Sequence, residues 1–152
     1  MKRLGELTYR DADALKPRCP IVLLPIGSTE AHGPHLPLAT DAILSDELAA
    51  RAAAALDAAG YATLIAPTLC YAITHYASEF TGTISIAPET ATALVADICA
   101  SLVGQGFTRV CLVNSHLEPA HVASLKEACA RVQARSGVAV VFADQLEKRW
   151  AR

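Results

Sequence analysis

The sequence predicts an α/β fold built on a mostly parallel sheet covered by helices on both faces. Three observations predict it. Short β-branched runs recur along the chain, each bounded by turn residues. Alanine-rich stretches of helical length alternate with them. The runs are apolar throughout, as strands buried on both faces are. With 152 residues, 53% of them hydrophobic, the chain can bury one sizeable core, and one domain spanning residues 1–152 is expected.

Each element has its own signature. "CPIVLLPIGS" (19–28) reads as a buried strand that ends in Gly27 and Ser28, and "SDELAARAAAALDAAG" (45–60) as a helix closed by Gly60. "YATLIAPTL" (61–69) reads as a second strand, followed by a loop from about Cys70 to Pro88. "PETATALVADICASLVGQG" (88–106) opens with Pro and an early Glu and closes with Gly, as a helix does. "TRVCLVNS" (108–115) is a third strand, residues 119–137 a helix, and "VAVVFAD" (138–144) a fourth strand.

Composition narrows the function. Thirteen Lys and Arg against fifteen Asp and Glu leave a net charge of −2, without the basic clustering that nucleic acid or anionic lipid requires. A small or neutral substrate is expected, with no nucleic-acid and no membrane partner. The first twenty residues carry charges where a secretory signal has its apolar core, so a cytoplasmic protein is expected. "IVLLPIG" and "VAVVFA" are far shorter than the roughly 20 residues that span a bilayer. Cys19, Cys70, Cys99, Cys111 and Cys129 form no CxxC pair and read as small core residues.

Ligands of such sheets gather beyond the carboxyl ends of the strands. There, "STEAHGPHLPLATD" (28–41) collects Glu30, His32 and Asp41 in a segment that Gly33, Pro34 and Pro37 keep from being a helix. Glu30 and His32 are one residue apart, so in an extended backbone their side chains project to one side. His116 and Glu118 repeat the spacing after the third strand. Asp41 is close enough in sequence to turn back toward them. Mixed His and carboxylate ligands suit Zn²⁺, Mn²⁺ or Fe²⁺, and a carboxylate bridging two ions suits a hydrolytic site. Two readings of Asp41 stand side by side, a metal ligand and an N-cap for a helix starting near Ala42. His35 is either a group facing the substrate or an exposed loop residue, while His75 and His121 read as ordinary loop and helix residues. Neither a G-x-S-x-G elbow nor a G-x-G-x-x-G turn is present.

"LPIGSTEAHGPHLPLATDAI" (24–43) resembles the first signature of the creatininase family of metal-dependent amidohydrolases. "VNSHLEP" (113–119) resembles its second signature, and "FTGTISI" (80–86) its glycine-threonine turn. The resemblance implies a three-layer α/β/α sandwich and two divalent ions. Glu30 and His116 would bind one ion and His32 and Glu118 the other, with Asp41 bridging. It implies a hydrolase that cleaves a C–N bond of a small cyclic amide or formamide with a metal-activated water, Glu118 also passing a proton to the leaving nitrogen. Glu118 matches creatininases proper, whereas Ser115, Leu117 and Pro119 depart from them.

Family members generally run longer, so a truncated domain is expected, and with it two alternatives. One is a non-catalytic metal-binding or interaction protein; the other is a peptide-trimming hydrolase of the same family. Homo-oligomers are common in the family and self-association is expected. Trp150 either begins an aromatic lid or packs on the sheet edge.

Overall fold

The computed structural model describes residues 2–144; Trp150 lies outside them. Four parallel strands form one sheet in the order β2-β1-β3-β4. They are β1 (Ile21–Ile26), β2 (Thr63–Ile65), β3 (Arg109–Asn114) and β4 (Val141–Phe142). A short helix, α1 (Tyr9–Asp13), precedes the sheet, its start fixed by a capping box between Thr8 and Asp11. The long helices are α2 (Thr40–Ala58), α3 (Pro88–Gly104) and α4 (Pro119–Ser136).

Strand alternation sorts the core into two layers. Val22, Leu24, Ile26, Leu64, Val110 and Leu112 face α3 and α4, where Val95, Cys99, Leu125 and Val132 complete the larger cluster. Leu23 and Ile65 point the other way, onto Ala49 and Ala53 of α2, whose small side chains let the helix lie close to the sheet. This is a three-layer α/β/α sandwich.

Several boundaries differ from the sequence reading. The second strand is expected over 61–69, but regular pairing ends at Leu23 opposite Ile65. Pro25 explains the break. Its carbonyl accepts from Leu69 N at 3.0 Å, so its ring nitrogen faces the same neighbour and has no hydrogen to give. The segment carrying Pro67 swings out and rejoins at Leu69, where Gly27 N donates to the Leu69 carbonyl at 2.9 Å. Among the described residues the fourth strand pairs over Val141–Phe142 only, and Val138 N is tied to Ser136 Oγ at the end of α4. Helix α2 begins at Thr40, five residues before the expected start, with Thr40 Oγ1 donating to the Pro37 carbonyl at 2.6 Å. The cysteines are mixed: Cys99 is buried, with its thiol pushed up to about 12 by burial, whereas Cys70 is exposed and not a core residue. Among the described residues, no helix is long and apolar enough to cross a membrane.

The chain start is fastened beside β2. Ile65 N donates to the Lys2 carbonyl at 2.9 Å, and the Arg3 guanidinium grips both oxygens of Asp46 on α2 at 2.8 and 2.7 Å. Arg3 holds the Asp46 carboxyl below its ordinary 3.8; burial opposes this and Thr68 assists. A depressed carboxyl stabilises the fold fully above its unfolded pKa, and that stabilisation is lost as pH falls through the folded value. Asp46→Asn should therefore lower stability at pH 7 by about 0.2–1 kcal/mol. Denaturation at pH 7 and near pH 2 checks it, since the gap between variant and wild type should close in acid.

Candidate metal centre

The carboxyl ends of β1 and β3 lie side by side, Ile26 opposite Asn114, and the two loops that leave them carry the candidate ligands. Glu30 and His32 come from the first loop, His116 and Glu118 from the second, and Asp41 from the first turn of α2. Ala39 is the N-cap, so Asp41 is not the cap the sequence allowed. It lies at the positive end of the helix dipole, which favours a carboxylate.

Asp41 reaches the site because α2 starts almost in contact with the end of β1. A Cβ on Gly27 would lie 2.3 Å from Ala42 N and 2.5 Å from the Asp41 carbonyl carbon, so only glycine leaves room for the helix. The hydroxyl of Ser45 bonds the Ile26 carbonyl and holds the same turn down. Buried Ser28 donates to Asp41 Oδ2 at 2.7 Å.

Five side chains converge on a cleft of about 510 Å³. Asp41 stands between the histidines, with Oδ1 3.0 Å from His32 Nε2 and Oδ2 2.9 Å from His116 Nδ1. Glu30 Oε1 is 3.0 Å from His116 Nδ1 and 3.8 Å from His32 Nε2. Two sets of three can each hold an ion, with ligand atoms within 4.8 Å of one another: Glu30, His32 and Asp41, and Glu30, His116 and Glu118. Both sets are drawn from the five candidate ligands, and Glu30 is common to the two.

Backbone carbonyls orient both imidazoles. The Glu30 carbonyl is 3.1 Å from His32 Nδ1, and the Ile73 carbonyl is 2.7 Å from His116 Nε2. A carbonyl only accepts, so each of these nitrogens carries the hydrogen and the opposite nitrogen is turned into the cluster, as metal-binding histidines require. Glu118 is held in the same way, its oxygens accepting from His75 N at 3.2 Å and Tyr76 N at 3.4 Å.

The electrostatics are those of crowded, buried carboxylates. Burial, with Asp41 beside it, pushes the Glu30 carboxyl up, although the His116 charge opposes this. Burial also works to raise Asp41, but its hydrogen bonds to His116 and Ser28 win and hold it below the ordinary value. Burial would lower His116, and its bonds to Asp41 and the Ile73 carbonyl, with the Glu30 charge, raise it instead. The donor set, two imidazole nitrogens amid three carboxylates, suits a borderline or hard divalent cation.

Other residues are placed less as the sequence suggests. His35 is exposed and outside the cluster, whereas His75, expected in a plain loop, lies with Nδ1 3.7 Å from Glu118. The carbonyl of Ile73 and the N–H groups of His75 and Tyr76 carry no side-chain signature, and the sequence does not reveal them. Asn114 and Ser28 do leave a signal, since each is a buried polar residue beside a candidate ligand.

The family model Creatininase, described as creatinine amidohydrolase, matches residues 5–152. The chain belongs to the creatininase family. A mycofactocin precursor peptide peptidase of Mycobacterium tuberculosis (strain ATCC 25618 / H37Rv) is 36% identical over 118 residues, covering 74% of this chain and 47% of that protein. A creatinine amidohydrolase of Pseudomonas putida is 32% identical over 121 residues, covering 76% and 45%. A solved creatininase structure, "Creatininase Mn", superimposes with a TM-score of 0.80 at 27% identity, covering 92% of this chain and 56% of that one. This creatininase-family chain thus spans about half the length of the curated relatives it matches.

The glycine at the β1 exit offers a direct test. Gly27→Ala forces α2 outward, and overpacking of this kind costs about 1–3 kcal/mol. Chemical denaturation should show that loss. Gly104→Ala serves as the control, because a Cβ there meets nothing within 4 Å.

Proposed function

We propose that this chain forms the metal site of a hydrolase that cleaves the C–N bond of a small cyclic amide or formamide, using two divalent ions of zinc, manganese or iron. The observation that carries the reading is the convergence of five donors, two of them histidines whose inward nitrogens are selected by outer hydrogen bonds. The similarity to a manganese creatininase supports the choice of ion.

Divalent ions held there would supply Lewis acidity toward the substrate carbonyl and lower the pKa of bound water. The rest is the work of the chain. Asp41, whose oxygens face opposite histidines, would serve as a ligand between them. Glu30 and Glu118 would complete the ligand set, and Glu118, on the cleft wall, would take a proton from the attacking water and pass it to the leaving nitrogen. Ala31, Ala77 and Leu117 give the cleft an apolar wall beside the donors.

A second reading, trimming of a short peptide, has its own support. Tyr76 and Phe80 line the same cleft yet are 80% and 63% exposed, an apolar rim on which a longer substrate would lie. The mycofactocin precursor peptide peptidases point the same way. Self-association is proposed on the exposed Ile43, Leu44 and Leu48 of α2.

Metal content decides first. Protein purified without chelator should carry about two ions per chain, and His116→Ala or Asp41→Ala should lose them. Stoichiometric metal in either variant overturns the ligand assignment. No metal in the wild type, even after added Zn²⁺ or Mn²⁺, leaves the non-catalytic reading. EDTA should abolish turnover and Mn²⁺ or Zn²⁺ restore it.

Substrate class is separated by turnover of lactams and formamides against short peptides. If peptides are cleaved, Tyr76→Ala with Phe80→Ala should raise KM for them several-fold, each lost aromatic contact costing about 0.5–1.5 kcal/mol. Turnover of a small cyclic amide should change little.

A further inference from the structure

We propose that His121, a buried histidine on α4, is a positioning residue that fixes His116 in the metal cluster by acting through Asn114. The inference rests on the metal-site reading above and adds to it a residue outside the ligand set.

Only four residues, 115–118, separate the end of β3 from the start of α4, and two of the five candidate ligands lie on them. Asn114 clamps this loop at His116. Its Nδ2 donates to the His116 carbonyl at 2.6 Å, and its Oδ1 accepts from His116 N at 3.3 Å. Because the carbonyl only accepts, the first bond fixes which end of the amide is nitrogen. The second lone pair of Oδ1 faces His121 Nε2 at 3.2 Å. The His121 ring also packs behind the His116 ring, with centroids 5.0 Å apart and planes tilted by 52°. His121 therefore holds the amide that holds the backbone of His116, and backs the imidazole itself.

Packing alone does not account for a histidine here. His121 is 1% exposed, and its Nδ1 has no hydrogen-bond partner among the described residues. An unpartnered buried polar atom costs stability, which a leucine or methionine would avoid. The Asn114 oxygen only accepts, so His121 Nε2 carries a hydrogen and donates it. What the histidine supplies over an apolar residue is this one donated bond.

The test compares wild type, His121→Leu and His121→Gln, the last keeping a side-chain N–H donor. His121→Met takes the place of His121→Leu if that variant does not fold. Zn²⁺ and Mn²⁺ affinities are measured by calorimetry, thermal stability in metal-free protein, and hydrogen exchange at the His116 amide in metal-free protein. The leucine variant should bind ions about 10–100-fold more weakly, as loss of an outer partner does. Its melting temperature should stay level or rise, and its His116 amide should exchange faster. The glutamine variant should recover most of the affinity and of the protection. Affinity and exchange in His121→Leu equal to wild type would overturn the proposal, as would losses in both variants that track lost thermal stability. A wild type that binds no divalent ion would overturn the metal reading instead. Exchange at His116 would then still decide whether His121 fixes the loop.

Discussion

The site depends on how closely the end of β1 approaches the first turn of α2. Helix α2 packs on the sheet through alanines, and at its start it comes against Gly27, where no side chain fits. That approach brings Asp41 between histidines from two different loops, with Ser28 and Ser45 fastening the turn. A carboxylate on a helix is fixed more firmly than one on a loop, because hydrogen bonds along the helix resist its displacement. The two loop-borne pairs can then be adjusted around a fixed point.

Much of this is legible in the residues. Apolar runs alternating with alanine-rich stretches point to the parallel sheet, and the repeated His and Glu spacing after β1 and β3 draws attention to four side chains at neighbouring strand ends. Spacing cannot order the side chains around the cluster, which depends on rotamers and on backbone partners from the 73–76 segment. Nor can it reveal that Pro25 interrupts pairing with the second strand, since a proline in a buried apolar run looks the same whichever neighbour its nitrogen faces. The true start of α2 is hidden because Pro37 and the weak cap Ala39 precede a helix whose first turn is held by tertiary contacts. His121 escapes notice for a related reason: its polarity matters only through Asn114, seven residues away in sequence and across a strand-to-helix junction.

The same geometry explains why the cluster tolerates its own charge. Three carboxylates near one another and shielded from water repel, and an apolar core would make that repulsion severe. Two features relieve it here. Glu30 is pushed toward its neutral form by burial and by Asp41, while His116 is held toward its charged form by Asp41 and Glu30, so the groups share positive charge and protons among themselves. The Glu118 oxygens instead accept from two backbone N–H groups. The arrangement favours positive charge wherever the five side chains meet, and it is held by groups outside the cluster: two carbonyls, two N–H groups, Ser28 and Asn114. A site built in this way binds a cation with little rearrangement, because the orientation of four of the five donors, Glu30 excepted, is settled before the ion arrives.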